Sequence, residues 1–105
     1  MDEIILTKDI QKGLEIYSDT RSAVLIDVRT PAEYAEGHIP GSVNMPLTTL
    51  ENDVYDAALD YDTPLFCYCL TGNRSIQAAT ALREIGYECA VSIGGIDHYK
   101  GDVER

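Results

Sequence analysis

The chain has 105 residues, 45% hydrophobic and 25% charged, which suffices for one packed core and is too little for two. That balance excludes disordered, collagen-like and low-complexity chains. Eight Lys and Arg against eighteen Asp and Glu leave a net charge of −10, a surface that repels nucleic acid and anionic membrane alike.

No repeat, linker or composition break divides the sequence, so residues 1–105 are expected to form a single domain. The apolar run at residues 3–6 predicts a first strand. Thr7 is placed to cap a helix over residues 8–17, with Ile10, Leu14 and Tyr17 on one face. Residues 23–28 are almost continuously apolar, the mark of a strand covered on both faces. Thr30, Pro31 and Glu33 then spell a helix start: a cap, a proline at the first helical position and an acid that reaches back to the cap. Gly37 ends that helix, and a brief strand is expected at 42–44. Leu50, Val54, Ala57, Ala58 and Tyr61 share a helical face near 49–59. A second buried strand follows at 65–68, and residues 75–85 form a helix with Ala78, Ala81, Leu82 and Ile85 inward. A last strand over 89–93 turns at Gly94-Gly95 into a short final helix.

Strands alternating with helices imply right-handed crossovers onto one parallel sheet, whose ligands sit beyond the carboxyl ends of the strands. The segment beyond the second buried strand is Cys69-Leu70-Thr71-Gly72-Asn73-Arg74-Ser75. A short loop running from a strand into a helix can turn successive N–H groups inward as an anion nest. The helix start adds its positive dipole end, and Arg74 adds a permanent cation. Cys69, at the head of this loop, is therefore the expected nucleophile, with its thiol expected to ionise more readily than a free one. Leu70, Thr71, Gly72, Asn73 and Arg74 are the expected substrate-binding residues.

These segments together resemble the single-domain rhodaneses, a sulfurtransferase family. Residues 25–34 (Leu-Ile-Asp-Val-Arg-Thr-Pro-Ala-Glu-Tyr) are similar to the family's amino-terminal signature, and residues 37–44 to the segment that follows it. Tyr68-Cys69 with Gly72, Arg74 and Ser75 resembles the active-site loop. Gly86-Tyr87 with Gly94-Gly95-Ile96 resembles the carboxyl-terminal signature. The resemblance implies an α/β, three-layer fold with a central five-stranded parallel sheet flanked by helices. It implies a Cys69 persulfide, loaded by thiosulfate or another persulfide or polysulfide donor and unloaded by cyanide or a thiol, with no cofactor and no metal. A sulfur-carrier or regulatory binding module of a sulfur-trafficking pathway is the alternative, and an acceptor protein is a possible partner under either reading. Related phosphatases use Cys-x5-Arg; here four residues separate Cys69 from Arg74, a tighter ring that suits one sulfur better than a phosphoryl group. Leu70 and Thr71 stand where two-domain thiosulfate enzymes often carry cations, and Tyr99 stands near a tryptophan of many relatives.

The remaining candidates have plainer readings. Without an apolar segment behind a basic amino terminus, a reducing cytoplasm is expected, and the three cysteines are expected unbridged. Cys67 and Cys69 would stand about 6.6–6.8 Å apart at Cα, near the limit for a disulfide, so Cys67 is expected to be a core thiol, as is Cys89. Asp27 and Arg29 are expected to form an ion pair or to bond loop backbone. Glu33 is expected to be a capping residue, His38 a turn residue and His98 a surface or packing residue. The acidic residues Glu51, Asp53, Asp56, Asp60 and Asp62 read as a solvated face, or as a docking surface for a basic acceptor protein.

Overall fold

A computed structural model describes residues 3–105. The central element is β3 (Leu65–Cys69), in which all five residues are buried. Leu65, Cys67 and Cys69 point into one apolar cluster, and Phe66 and Tyr68 into the other, the two-residue period of a strand covered on both faces. Its neighbours are β1 (Val24–Asp27) on one side and β4 (Ala90–Gly95) on the other, and β2 (Val43–Asn44) lies beyond β1. All pairings are parallel. One cluster packs α1 (Ile10–Ser18) on the sheet through Ile10, with Leu14 and Tyr17 partly buried against it. The other packs α3 (Leu50–Asp56) and α4 (Asn73–Glu84) on the opposite face through Leu50, Val54, Ala78, Ala79 and Leu82. Three layers result, as the alternation of elements requires.

Five strands were expected, and among the described residues the sheet has four. Residues 3–6 contribute an isolated parallel bridge, Ile5 to Ser92. Its hydrogen bonds run from Ser92 N to Ile4 O at 2.7 Å and from Leu6 N to Ser92 O at 3.0 Å. The chain leaves the sheet after this bridge, with four residues between Ile5 and the first helix. Its cap is Asp9, whose carboxylate accepts from the Gln11 and Lys12 amides, and not Thr7, whose hydroxyl accepts from the Asp9 amide instead.

The helix start read at residues 30–33 is present in full as α2 (Pro31–Glu36). Thr30 Oγ1 accepts from Glu33 N at 3.2 Å, and Glu33 Oε1 accepts from Thr30 N at 3.0 Å. The helix expected near 49–59 splits into a 3-10 turn, Leu47–Thr49, and the shorter α3. Gly94 and Gly95 do not turn out of the last strand but complete it. Cys67 pairs with Ser92 and Cys69 with Gly95, so β4 spends one residue more than β3 over this stretch. That bulge bends β4 beneath the segment following Cys69. Gly95 lies so close to the Leu70 carbonyl that an added Cβ would collide with it. A 3-10 turn, Ile96–His98, follows, and Asp97 N donates to Leu70 O at 3.1 Å.

Candidate active site

Cys69 ends β3 and is 0% exposed. From there the chain crosses to α4 in three residues, Leu70, Thr71 and Gly72. Gly72 is the residue before the helix and holds φ +106°, a conformation glycine adopts readily and side-chain-bearing residues resist. That turn aims its own amide back at the strand-end thiol: Gly72 N donates to Cys69 Sγ at 3.0 Å. Ser75 N, in the first turn of α4, donates to the same sulfur at 3.4 Å. The cradle therefore consists of two amides, and one of them comes from beyond the expected set Leu70 to Arg74. Leu70 is 42% exposed. Thr71, Gly72 and Asn73 line a cavity of about 220 Å³ together with Thr7, Lys8, Ile76, Ser92 and Gly94.

Arg74 does not stand beside the sulfur as a free cation. Its guanidinium grips Glu33 in a two-pronged ion pair, Nη1 to Oε1 at 2.8 Å and Nη2 to Oε2 at 3.0 Å. Glu33 thus caps α2 and anchors α4 at once. Arg74's hydrogen bonds, helped by those of Thr30 and opposed by burial, hold the Glu33 carboxyl down at about 2. The pair is partly solvated, with 33% of the Arg74 side chain and 27% of the Glu33 side chain exposed.

Asp27 and Arg29 form a second pair, this one buried. Arg29 Nε meets both Asp27 oxygens at 3.0 and 3.1 Å, and Nη2 reaches Oδ2 at 2.7 Å and the Gly37 carbonyl at 2.7 Å. Asn44 Nδ2 ties the carbonyls of Asp27 and Arg29 at 3.0 Å each. This network fixes the loop after β1, against which Tyr68 packs below Arg29 at 5.9 Å.

Cys67 is buried at 0% exposure, and burial pushes its thiol up to about 12, with the neighbouring Cys69 adding to the effect. Cys89 was expected in the core and is exposed. The strand begins one residue later, at Ala90, and Cys89 falls in the preceding turn. His38 is mostly buried, stacked on Tyr34 at 3.7 Å, with Nδ1 2.9 Å from the Tyr34 carbonyl. His98 is exposed beside Asp97. No group of three or more His, Cys, Asp or Glu able to hold a metal ion occurs among the described residues. No helix of the described residues is long and apolar enough to cross a membrane.

The sequence reading placed Ser75 in the loop motif without giving it a role at the site, and it missed Ser92. Ser75 Oγ lies 3.6 Å from Cys69 Sγ and 2.7 Å from Ser92 Oγ. A faint signal existed: Ser92 interrupts the apolar residues of the expected last strand, and a buried hydroxyl needs a partner.

The model of the rhodanese-like domain matches residues 9–102. The chain belongs to that family. Relatives include the adenylyltransferase and sulfurtransferase uba4 of Ogataea parapolymorpha, 35% identical over 99% of this chain, which spans only 27% of that protein's length. The thiosulfate sulfurtransferase PspE of Escherichia coli is 35% identical over 68% of each chain. A sulfurtransferase of Allochromatium vinosum is 35% identical over 74% of this chain and 71% of its own. Among solved structures, the human single-domain sulfurtransferase TSTD1 superposes with a TM-score of 0.74 at 26% identity, covering 90% of this chain and 91% of its own. Sulfur transfer is accordingly the general chemistry to which this rhodanese-like site belongs.

Proposed function

We propose that the protein moves a sulfane sulfur from thiosulfate, or from a persulfide or polysulfide donor, to a thiol or cyanide through a persulfide on Cys69. The observation that carries this reading is the pair of N–H groups on Cys69 Sγ at the carboxyl end of the central strand. Donors aimed at a sulfur stabilise negative charge there, both on the attacking thiolate and on the persulfide. The thiolate attacks the outer sulfur of thiosulfate. A new S–S bond forms on Cys69, the S–S bond of thiosulfate breaks, and sulfite leaves with the electron pair. Cyanide or a thiolate then takes the outer sulfur and returns Cys69 as thiolate. Neither a metal nor an organic cofactor enters the sequence.

Because Cys69 is fully shielded, a donor reaches it only when residues 70–74 move aside, and the half-exposed Leu70 and the solvated Arg74–Glu33 pair are the groups positioned to yield. That shielding favours one second reading, a sulfur carrier loaded by a protein partner that opens the loop. A cytoplasmic, single-domain protein fits either role. Incubation with thiosulfate followed by mass spectrometry tests the proposal. The expected result is a gain of one sulfur atom that cyanide removes and that Cys69→Ala abolishes. Loading retained in Cys69→Ala and lost in Cys67→Ala would assign the chemistry to the other thiol. Repeated turnover of thiosulfate and cyanide marks the enzyme; single loading without turnover marks the carrier.

A further inference from the structure

Ser92 is 1% exposed, in the middle of β4. Its backbone is engaged by the amino-terminal bridge, so only its side chain is free to serve the site. That hydroxyl lies 2.7 Å from Ser75 Oγ, which is itself 3.0 Å from the Gly72 carbonyl and 3.6 Å from Cys69 Sγ. A hydroxyl has one proton and two lone pairs. The Gly72 carbonyl has no proton to give, so in that contact Ser75 donates. Ser75 must then accept from Ser92, and its second lone pair faces the Cys69 S–H.

We propose that Ser92 is a positioning residue for the Cys69 sulfur: by donating to Ser75 Oγ it leaves that hydroxyl's single proton only two acceptors, the Gly72 carbonyl and the sulfur. While Cys69 is a thiol, the Ser75 proton belongs to the carbonyl. Once the thiol proton has passed to solvent base, the contact with sulfur persists only with Ser75 as donor, and the hydroxyl turns. The anion then collects three donors, Gly72 N, Ser75 N and Ser75 Oγ. Ser92 stays donor throughout and, through the hydrogen-bond chain, strengthens the Ser75 O–H as a donor. The inference rests on the reading of Cys69 as the nucleophile.

The titratable groups coupled to the sulfur are Cys67 in β3 and Arg74 in α4, the latter paired with Glu33 of α2, and Lys8 lines the cavity beside Ser92. A change at Ser92 leaves the charge of each in place. The test is the pH profile of Cys69 alkylation by iodoacetamide, read as mass gain on the Cys69 peptide. Ser92→Ala should raise the midpoint by about half to one pH unit, slowing the reaction about three- to tenfold below it. Ser92→Thr, which keeps the hydroxyl, should restore the profile. In a Ser75→Ala background the Ser92→Ala change should add nothing. A superimposable Ser92→Ala profile overturns the proposal, as do equal shifts in Ser92→Ala and Ser92→Thr, or a full shift in the Ser75→Ala background. Thiosulfate loading of wild-type protein, measured in parallel, separates the outcomes. Absence of sulfur on Cys69 strikes at the nucleophile, whereas normal loading with an unmoved alkylation profile strikes only at Ser92.

Discussion

Cys67 and Cys69 stand two residues apart on one strand, face the same apolar cluster and are equally buried, yet their surroundings differ completely. Cys67 lies where β3 is flanked by paired strands on both sides, and burial keeps its thiol protonated. Cys69 lies where β3 runs out and the backbone turns into α4, so its sulfur meets amides that have no other partner in the helix. Equal depth in the protein thus gives two thiols different surroundings. What separates them is whether the chain, on leaving the sheet, turns its N–H groups back toward the sulfur.

The most severe way to break this contrast is to exchange the thiols for hydroxyls one at a time. Cys69→Ser should end sulfur uptake and leave the fold intact by circular dichroism. Cys67→Ser should keep uptake and lower unfolding stability by about 1–3 kcal/mol in urea titration, because it leaves a hydroxyl in a dry site. Next in size is Gly72→Ala. Forcing a side chain into φ +106° strains the backbone by about 1–3 kcal/mol, and turning its amide off the sulfur should slow persulfide formation on the order of tenfold to a hundredfold. Stopped-flow sulfite release would measure it.

A smaller effect concerns the tie between α2 and α4. The Glu33 carboxyl is held at about 2, below its ordinary 4.5. A depressed acid lends stability above its unfolded value and loses it as pH falls through the folded one. Glu33→Gln should therefore be less stable than wild type at pH 7, and the gap should close between pH 4.5 and 2, as read by denaturant titration across that range. The smallest effect sharpens the contrast without a mutation. With its thiol pushed up to about 12, native Cys67 should remain unlabelled by iodoacetamide at pH 9, while the exposed Cys89 labels readily.

Much of this contrast was legible in the sequence because it is local. The capping signature at Thr30, Pro31 and Glu33, the unbroken apolar run of β3 and the strand-to-helix loop carrying Cys69 all follow from neighbouring residues. The contacts that escaped are those between residues far apart in the chain. Arg74 and Glu33 are 41 positions apart, and nothing in either segment announces that the expected cation already has a carboxylate. Ser75 and Ser92 meet across 17 positions, through the packing of α4 on β4. Edges escaped for another reason. The first strand shrinks to one bridge at Ile5, with Asp9 capping a helix four residues on, and Cys89 is exposed because a one-residue shift in a strand boundary carries a residue out of the sheet.

The bulge in β4 has an outcome for variation at this site. Since a side chain added at Gly95 would collide with the Leu70 carbonyl, the contour around the Cys69 sulfur is moulded by the main chain of an adjoining strand. Saturation libraries should then return glycine alone at position 95, while Leu70 and Thr71, both exposed at the mouth of the loop, accept wide replacement. Donor preference could be retuned there without disturbing the mould.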